Sequence, residues 1–468
     1  MGTAERIGWR WLIAVFAISF AVYAISPVRQ NYDSYLAFPT AQSAVHGGNL
    51  TLNEFDTPKF DTHGWMTFTD NGKEVNTYPW VPSMMLIPSV IVLDVADAVG
   101  IGPGSYNVAN GGRMDTIQQF NASALVALVV VIVFAISFHR LRPTLSLKRR
   151  RAIAGVVAFG FAFGTAAWST ASRAMWQHGP SLLFLAIAVY CCQRLLRDPE
   201  AESPGLRWTA IWLGAAVAAA FTCRPTNAVA VIGFTAFVVF GLRKYVRRFF
   251  VGAFAVAMPW TLVNITAYGT VLPDYYRAGK VGLHEEFGRA LATNLVSPAR
   301  GLLLFSPIVV LAVFGIVRRN RDEVRDGLLS FDRMLLGVAL AYLLVSSGPP
   351  QNWWGGHSFG PRFMSDTLVF FAAAATPTVA LLMQRVPRGE RSTWRRLATA
   401  AAVALLGWSV LINAQGGAMR STLCWNGEPN IDENTSRLWD FDRPQMLSGL
   451  QAIADDGVVD AFLTRCTD

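Results

Sequence analysis

The stretch that decides the fold is FNASALVALVVVIVFAISFHRLRPTLSLKRRR, residues 120–151. Its first 19 residues are almost entirely apolar, which is about the length that a helix needs to cross a bilayer core of ~30 Å. A segment in lipid must be helical, because a helix satisfies its own backbone hydrogen bonds. The next 13 residues carry six Lys and Arg. This pattern predicts a transmembrane helix whose basic end faces the cytoplasm.

The same pattern recurs along the whole chain. Hydrophobic residues make up 53% of the sequence and charged residues only 15%, which is typical of an integral membrane protein. We therefore predict an all-α polytopic membrane protein with about eleven transmembrane helices. The predicted spans are residues 9–26, 120–138, 152–168, 181–195, 208–222, 227–242, 249–268, 301–317, 334–346, 363–383 and 397–411.

Basic residues collect in every second connection between these spans. Six segments (1–10, 139–151, 194–207, 243–248, 318–333 and 385–396) hold 25 of the 40 Lys and Arg residues but only nine of the 31 acidic ones. By the positive-inside rule these segments are cytoplasmic. The N-terminus is then inside and the C-terminus outside. The net charge of +9 thus indicates orientation and contact with anionic membrane lipid, and no nucleic-acid partner is expected.

This topology divides the chain into four parts. Residues 1–26 form the first transmembrane helix, and residues 27–119 form a long outer loop. Residues 120–412 form a bundle of about ten helices with outer loops at 169–180, 269–300 and 347–362. Residues 413–468 form a small outer C-terminal cap. Because the unusual residues lie in the outer connections, any chemistry is expected at the outer face.

Two features of the first outer loop have local signatures. The sequence Asp70-Asn71-Gly72 between two short alternating runs predicts a small hairpin. The apolar run at 81–99 is interrupted by two prolines and two aspartates, and a crossing there would invert every later basic loop. We predict interfacial helices in this loop, with this run lying along the outer membrane surface.

Several function classes lack their signatures. The chain has no Walker-type phosphate loop and no GxSxG elbow, which argues against an ATP-driven machine. No spacing of His, Cys, Asp and Glu demands a metal, and the sequence leaves the need for a divalent metal open. Cys424 and Cys466 share the outer C-terminal tail, where an oxidising compartment would allow a disulfide between them.

The strongest candidate for chemistry in the first outer loop is Asp33, which two tyrosines flank within residues 31–35. A carboxylate at the membrane boundary is a reasonable general base, because its surroundings can tune its basicity. The alternative is a helix cap or an interfacial charge.

Later outer turns contribute basic and aromatic candidates. Arg173, Trp176 and His178 lie within one short turn, where Arg suits phosphate and Trp suits stacking on a sugar. The alternative there is an aromatic-belt turn with a snorkelling arginine. A second set, Trp354, His357 and Arg362, lies in a glycine-containing loop. Further candidates for the same role are Arg224, Tyr78 and Lys59.

Seven short motifs, in this order, resemble the GT-C superfamily of membrane glycosyltransferases. The resemblance is greatest to the bacterial branch near the family 39 protein mannosyltransferases and the aminoarabinose transferases. The motifs are Asp33-Ser34-Tyr35, Tyr78-Pro79-Trp80, residues 176–180, Arg224-Pro225-Thr226, residues 300–307, residues 353–362 and Leu438-Trp439-Asp440. They span nearly the whole chain, and their order and spacing carry the resemblance. The chain departs at Asp33-Ser34, where protein mannosyltransferases commonly have Asp-Glu, so a protein acceptor is not implied.

The resemblance implies inverting transfer of a sugar from a polyprenyl-phosphate donor, at the outer face of a bacterial plasma membrane. Asp33 matches the residue that activates the acceptor hydroxyl. Basic residues of the later loops would hold the donor phosphate, and aromatic residues would contact the donor. The resemblance carries this role over to Arg362, His357 and Arg173, and also to His178 and Arg224. Trp176, Trp354, Tyr78 and Lys59 remain candidates for donor binding from their residue types and positions. A cell-envelope glycan or glycolipid would be the acceptor, and mannose or arabinofuranose the transferred sugar.

The chemistry of the residues agrees with this hypothesis. A lipid-phosphate leaving group needs cations rather than protonation, and inversion needs one base rather than two carboxylates. Two alternatives remain open. One is a transporter or flippase for a lipid-linked glycan, which would favour broken helices and polar residues at mid-membrane. The other is a different envelope-modifying transferase with His178 or His357 as its base.

Overall fold

The computed structural model describes residues 7–30, 32–55, 66–69, 72–101, 111–197, 203–276, 282–317, 327–384 and 393–463. Helices dominate these residues, and one short hairpin is present. The helices of the first part are α1 (Trp9–Ala24), α2 (Ala37–His46), α3 (Val81–Met84), α4 (Ile87–Ala98), α5 (Gly111–Arg140), α6 (Leu147–Phe163), α7 (His178–Arg197), α8 (Pro204–Cys223), α9 (Ala228–Gly241) and α10 (Val246–Tyr268). The remaining helices are α11 (Phe287–Val296), α12 (Leu302–Phe305), α13 (Val310–Val317), α14 (Gly327–Ser346), α15 (Leu368–Leu382), α16 (Thr393–Ala418), α17 (Ser421–Cys424), α18 (Ser448–Asp456) and α19 (Val458–Leu463).

Ten of the eleven predicted spans overlap one α-helix each. Seven helices of the described residues are long and apolar enough to cross a membrane: Arg113–Arg140, His178–Arg197, Pro204–Cys223, Arg243–Tyr268, Gly327–Ser346, Arg362–Leu382 and Thr393–Ala418. Three shorter apolar helices, Trp9–Ala24, Pro225–Gly241 and Pro307–Val317, accompany them. The prediction of an all-α, multi-pass membrane protein is therefore confirmed. The number of crossings and their orientation stay predictions.

One span differs in detail from its prediction. The run 301–317 is not one helix, because α12 ends at Phe305 and a 3₁₀ turn, Pro307–Val309, precedes α13. Pro307 has no backbone N–H and disfavours helical geometry at the residue before it. Ser306 accordingly leaves the helical region, with φ −141° and ψ 57°.

The first outer loop contains the predicted hairpin. Strands β1 (Met66–Phe68) and β2 (Glu74–Asn76) pair antiparallel, with Met66 opposite Asn76. The apolar run that follows is split into α3 and α4. Helix α4 has 12 residues, so it is about 18 Å long, shorter than the ~30 Å of a bilayer core. This length fits the interfacial position that we predict for it.

Helix α5 organises the bundle, because it packs against α1, α6, α7 and α15. At its C-terminal end a buried ion pair joins α5 to α14, with Arg140 Nη1 2.6 Å from Asp332 Oδ1. Arg140 also donates to the amide oxygen of Gln193 on α7 and to the carbonyl of Ala373 on α15. One side chain thus links four helices.

The loop at 347–362 packs against the C-terminal segment 413–463. Trp353, Trp425, Ile431 and Leu438 form an apolar cluster between the 347–362 loop and the C-terminal cap. Beneath it, the fully buried Arg300 donates to the carbonyls of Trp354 and Gly356 and to Asn426 Oδ1, at 2.7–2.9 Å. The cap therefore holds the conformation of the loop that ends at Arg362.

Cysteine pairing agrees in part with the sequence-based prediction. Cys424 is disulfide-bonded, whereas Cys191, Cys192 and Cys223 are free and buried. The predicted partner, Cys466, lies outside the described residues.

Two glycines allow helices α8 and α10 to touch. A Cβ atom on Gly252 would lie 1.9 Å from the carbonyl oxygen of Ile211, and one on Gly214 would lie 1.8 Å from that of Phe249. Small residues at such positions let transmembrane helices approach closely, and the resulting van der Waals contact drives their association.

We expect Gly252→Ala to lower the melting temperature of the purified protein, because the added methyl group pushes α10 away from α8. Overpacking of this kind typically costs about 1–3 kcal/mol. Gly337→Ala is the matched control, since a Cβ there meets nothing within 4 Å and alanine favours the helix. Thermal unfolding in detergent measures both. Equal melting temperatures for the two variants would contradict the packing argument.

Candidate functional site

A cavity of about 750 Å³ lies beside the C-terminal ends of α8 and α14 and the start of α9. Five sequence-predicted residues line it: Asp33, Tyr78, His178, Arg224 and Arg362. They come from five separate regions of the sequence. Part of the remaining lining is apolar and includes Phe221, Val229 and Ile232. The cavity thus presents both charged and apolar surface.

Asp33 lies in a single 3₁₀ turn, Tyr32–Ser34, shortly after α1. The chain before this turn is tied to the bundle, because Gln30 donates to the carbonyl of Ser169 and Gln119 donates to that of Ser26. Asp33 Oδ1 accepts a hydrogen bond of 3.3 Å from the Tyr78 hydroxyl. Burial raises the pKa of Tyr78, so its hydroxyl stays protonated and remains a donor.

The second carboxylate oxygen of Asp33 is ion-paired with Nη2 of Arg362. Arg362 is the first residue of a 3₁₀ helix, Arg362–Thr367, that continues into α15. Its guanidinium carbon lies 4.0 Å from the centre of the Trp176 ring, and Nη1 donates to the carbonyl of Gly355 at 3.3 Å. The Trp176 ring is itself buried. The guanidinium is therefore held in place on two sides besides its ion pair.

Beneath Arg362 lies a charged network centred on the fully buried Asp366. Its carboxylate accepts hydrogen bonds from Arg224 and from the hydroxyl of Ser181, and His178 Nδ1 lies 3.1 Å from its Oδ2. Arg224 also donates to the hydroxyl of Tyr342 on α14. Unpaired charges are expensive in the membrane region, so such residues pair with one another.

These contacts fix the protonation pattern of His178. A carboxylate can only accept a hydrogen bond, so Nδ1 of His178 must carry a proton and donate to Asp366. Arg362 Nε lies 3.3 Å from Nε2 of His178, and an arginine N–H only donates. Nε2 therefore uses its lone pair to hold Arg362. In this state His178 positions the arginine and has no free lone pair with which to act as a base.

The other predicted residues lie away from the cavity wall. Arg173 is fully buried and donates to the carbonyl of Tyr23 at 2.7 Å and to Ser172 Oγ at 2.8 Å. Trp176 supports Arg362 from behind. His357 and Trp354 lie at the outer edge, where both contact Asp432. Lys59 lies outside the described residues.

The structure adds residues that sequence reasoning missed. Asp366, Ser181 and Tyr342 complete the buried network, and Tyr275 and Tyr276 line the cavity beside Gln177 of the motif at 176–180. Tyr276 donates to the amide oxygen of Gln177, and the Tyr275 ring lies 4.9 Å from that of Tyr78. A signal existed for Asp366, because an acidic residue inside an apolar span is rare and usually functional. The tyrosines carried no comparable signal.

Comparisons with known proteins give one similar structure. No protein-family model and no curated protein matches the chain. Among solved structures, the crystal structure of ArnT from Cupriavidus metallidurans in the apo state is similar with a TM-score of 0.49 and 12% sequence identity. The alignment covers 92% of this chain and 75% of that chain.

At the edge of the site, His357 connects the loop before Arg362 to the cap. Its Nε2 lies 3.1 Å from Asn430 Oδ1 and 3.3 Å from Asp432 Oδ2. Its ring stacks on Tyr32, the neighbour of Asp33, at 6.4 Å between centroids. The hydrogen bond with Asp432 raises the pKa of His357 and lowers that of Asp432.

We expect this contact to make stability depend on pH. The raised pKa of His357 stabilises the fold fully below about pH 6.5, the ordinary histidine value, and this effect is lost as the pH rises through the raised pKa. The lowered pKa of Asp432 stabilises only above its ordinary value of about 4. The melting temperature of the wild type should exceed that of His357→Gln most between about pH 4.5 and 6.

Thermal unfolding of both proteins across this range and up to about pH 9 measures the difference. Asp432→Asn removes the partner and should give the same flattened profile as His357→Gln. A difference that stays constant between pH 5.5 and pH 9 would contradict the assignment.

Proposed function

We propose that this chain is a membrane glycosyltransferase of the GT-C type. It would transfer a sugar from a polyprenyl-phosphate donor to a cell-envelope glycan or glycolipid, with inversion, at the outer face of the bacterial plasma membrane. Mannose and arabinofuranose are the donor sugars to test first. The observation that carries the proposal is the pair formed by Asp33 and Arg362, a carboxylate and a guanidinium side by side on the wall of a large cavity.

The lining of the cavity suits each part of such a donor. Arginine binds phosphate oxygens well, because its planar guanidinium presents several N–H donors. The tyrosines and Gln177 offer rings and polar groups that can contact a sugar. The apolar surface at Phe221, Val229 and Ile232 suits an isoprenoid chain, and Ile232 is 70% exposed on a helix that we place in the membrane.

The proposed reaction needs one base and one cationic stabiliser. The acceptor hydroxyl oxygen attacks the anomeric carbon of the sugar, and its proton passes to the Asp33 carboxylate. The bond between that carbon and the phosphate oxygen breaks, and the electron pair leaves with polyprenyl phosphate. Arg362 stabilises the negative charge that develops on the leaving phosphate, which is the kind of group that needs electrostatic stabilisation rather than an acid.

A second candidate function rests on the contact between His178 and Asp366. A histidine oriented by a buried carboxylate is the arrangement of a general base in other transferases. Here Nε2 of His178 already accepts from Arg362, which favours a positioning role. Activity that survives Asp33→Asn and is lost in His178→Gln would support this alternative. Transport of lipid-linked glycan in proteoliposomes without any sugar transfer would support a flippase.

We expect Asp33→Asn to abolish transfer while the protein still folds and binds donor. Loss of a general base typically lowers the rate by about 10²–10⁴-fold. The measurement is release of polyprenyl phosphate from short-chain polyprenyl-phosphate mannose or arabinofuranose, in the presence of an envelope-glycan acceptor. Donor binding is followed separately by native mass spectrometry.

Asp94→Asn is the matched control. Asp94 belongs to the same outer loop but pairs with His46 on the protein surface, and it does not line the cavity. Its transfer rate should equal that of the wild type. Wild-type turnover by Asp33→Asn would remove Asp33 as the base.

A further inference from the structure

We propose that Arg362 masks the base until donor binds, and that donor phosphate frees Asp33 by taking its place on the guanidinium. This inference rests on the proposed function and adds an order of events to it. The base becomes competent only when the donor is bound. The donor therefore binds before the acceptor hydroxyl is activated.

Both partners of the ion pair can be reached from the cavity. The Asp33 and Arg362 side chains are 16% and 13% exposed, and both line the cavity wall. A phosphate entering there meets the same guanidinium that Asp33 occupies. Carboxylate and phosphate both bind guanidinium through paired N–H donors, so they compete for one group.

Arg362 is also anchored by contacts that do not involve Asp33. The stacking on Trp176, the bond to the Gly355 carbonyl and the bond to His178 Nε2 all remain when the carboxylate leaves. His178 in turn is fixed by Asp366. The guanidinium can therefore exchange one anion for another without leaving its place.

The ion pair also limits what the Asp33 carboxylate can accept. While the pair exists, the positively charged guanidinium occupies the oxygen that would otherwise face a hydroxyl group. Displacement by phosphate removes that charge and leaves Asp33 held by the Tyr78 hydroxyl at Oδ1. The freed Oδ2 is then available to accept the proton of the acceptor.

Ligand binding by purified full-length protein in detergent tests this exchange. The probe is a short-chain polyprenyl phosphate without sugar, and the matching polyprenol is the control ligand. We compare the wild type, Asp33→Asn, Arg362→Gln and the double variant, because such a cycle isolates the coupling between two residues. Melting temperatures establish that each variant is folded.

We expect Asp33→Asn to tighten polyprenyl-phosphate binding by about two- to fivefold, the range for an ion pair only partly shielded from water. In the Arg362→Gln background the same change should have no effect. Should Arg362→Gln fail to fold, Arg362→Lys replaces it. Lysine still pairs with Asp33, so Asp33→Asn in the Arg362→Lys background should again tighten binding of polyprenyl phosphate. Asp33→Asn should not change binding of the polyprenol.

Three results would overturn the inference. Equal tightening in the wild-type and Arg362→Gln backgrounds would mean simple repulsion between Asp33 and phosphate. Unchanged or weaker binding by Asp33→Asn would mean that no masking exists. If the wild type binds no polyprenyl phosphate and transfers no sugar, the proposed function fails and the inference with it; binding without coupling removes the inference alone.

Discussion

The structure of the site depends on one buried carboxylate, that of Asp366. Removing a charge from water is costly, and attraction to a partner offsets that cost only when the geometry is good and the remaining hydrogen bonds are made. Asp366 meets this requirement through Arg224, Ser181 and His178, which come from two regions of the chain. The turn between α8 and α9, the start of α7 and the 3₁₀ helix before α15 must therefore come together. Arg362 begins that 3₁₀ helix, so its position follows from the same constraint.

A second buried ion pair applies the same constraint at the opposite end of α14. Asp332 near the start of α14 pairs with Arg140, and Tyr342 near its end accepts from Arg224. Helix α14 is thus bonded to charged partners at both ends, in a bundle whose other contacts are mostly apolar. Apolar packing between helices in lipid specifies register weakly, because lipid tails are as apolar as the side chains. The two charged contacts therefore fix the register of α14 against its neighbouring helices, which apolar packing specifies only weakly.

The sequence predicted the fold better than the site, and the reason is physical. Span length and hydropathy follow from the thickness of the bilayer, which is the same for every segment, so ten of the eleven predicted spans overlap one α-helix each. The exception within 301–317 came from Pro307, whose local effect overrode hydropathy. The placement of the hairpin between residues 66 and 76 followed from turn chemistry, which is also local.

Side-chain partners depend on contacts between distant segments, which the sequence does not reveal. Arg173 and Arg362 are both arginines with a tryptophan and a histidine nearby in the sequence. Arg173 nevertheless donates to the Tyr23 carbonyl, whereas Arg362 pairs with Asp33. His178 was a candidate ligand or base, and its bond to Asp366 gives it a positioning role. Arg300 lay inside a quoted motif, but nothing in the sequence indicated that it would hold the loop before Arg362.

Arg362 is held by more contacts than Asp33. This asymmetry determines which of the two side chains changes partner when an anion binds. Arg362 is stacked on Trp176 and bonded to Gly355 and His178, whereas Asp33 lies on one short turn and is oriented by Tyr78. While they are paired, the two charges compensate each other, which lowers the cost of keeping both partly out of water. An incoming anion restores that compensation for Arg362 but not for Asp33. The carboxylate is then the member that must find a new proton or a new partner, and a hydroxyl group beside it can supply the proton.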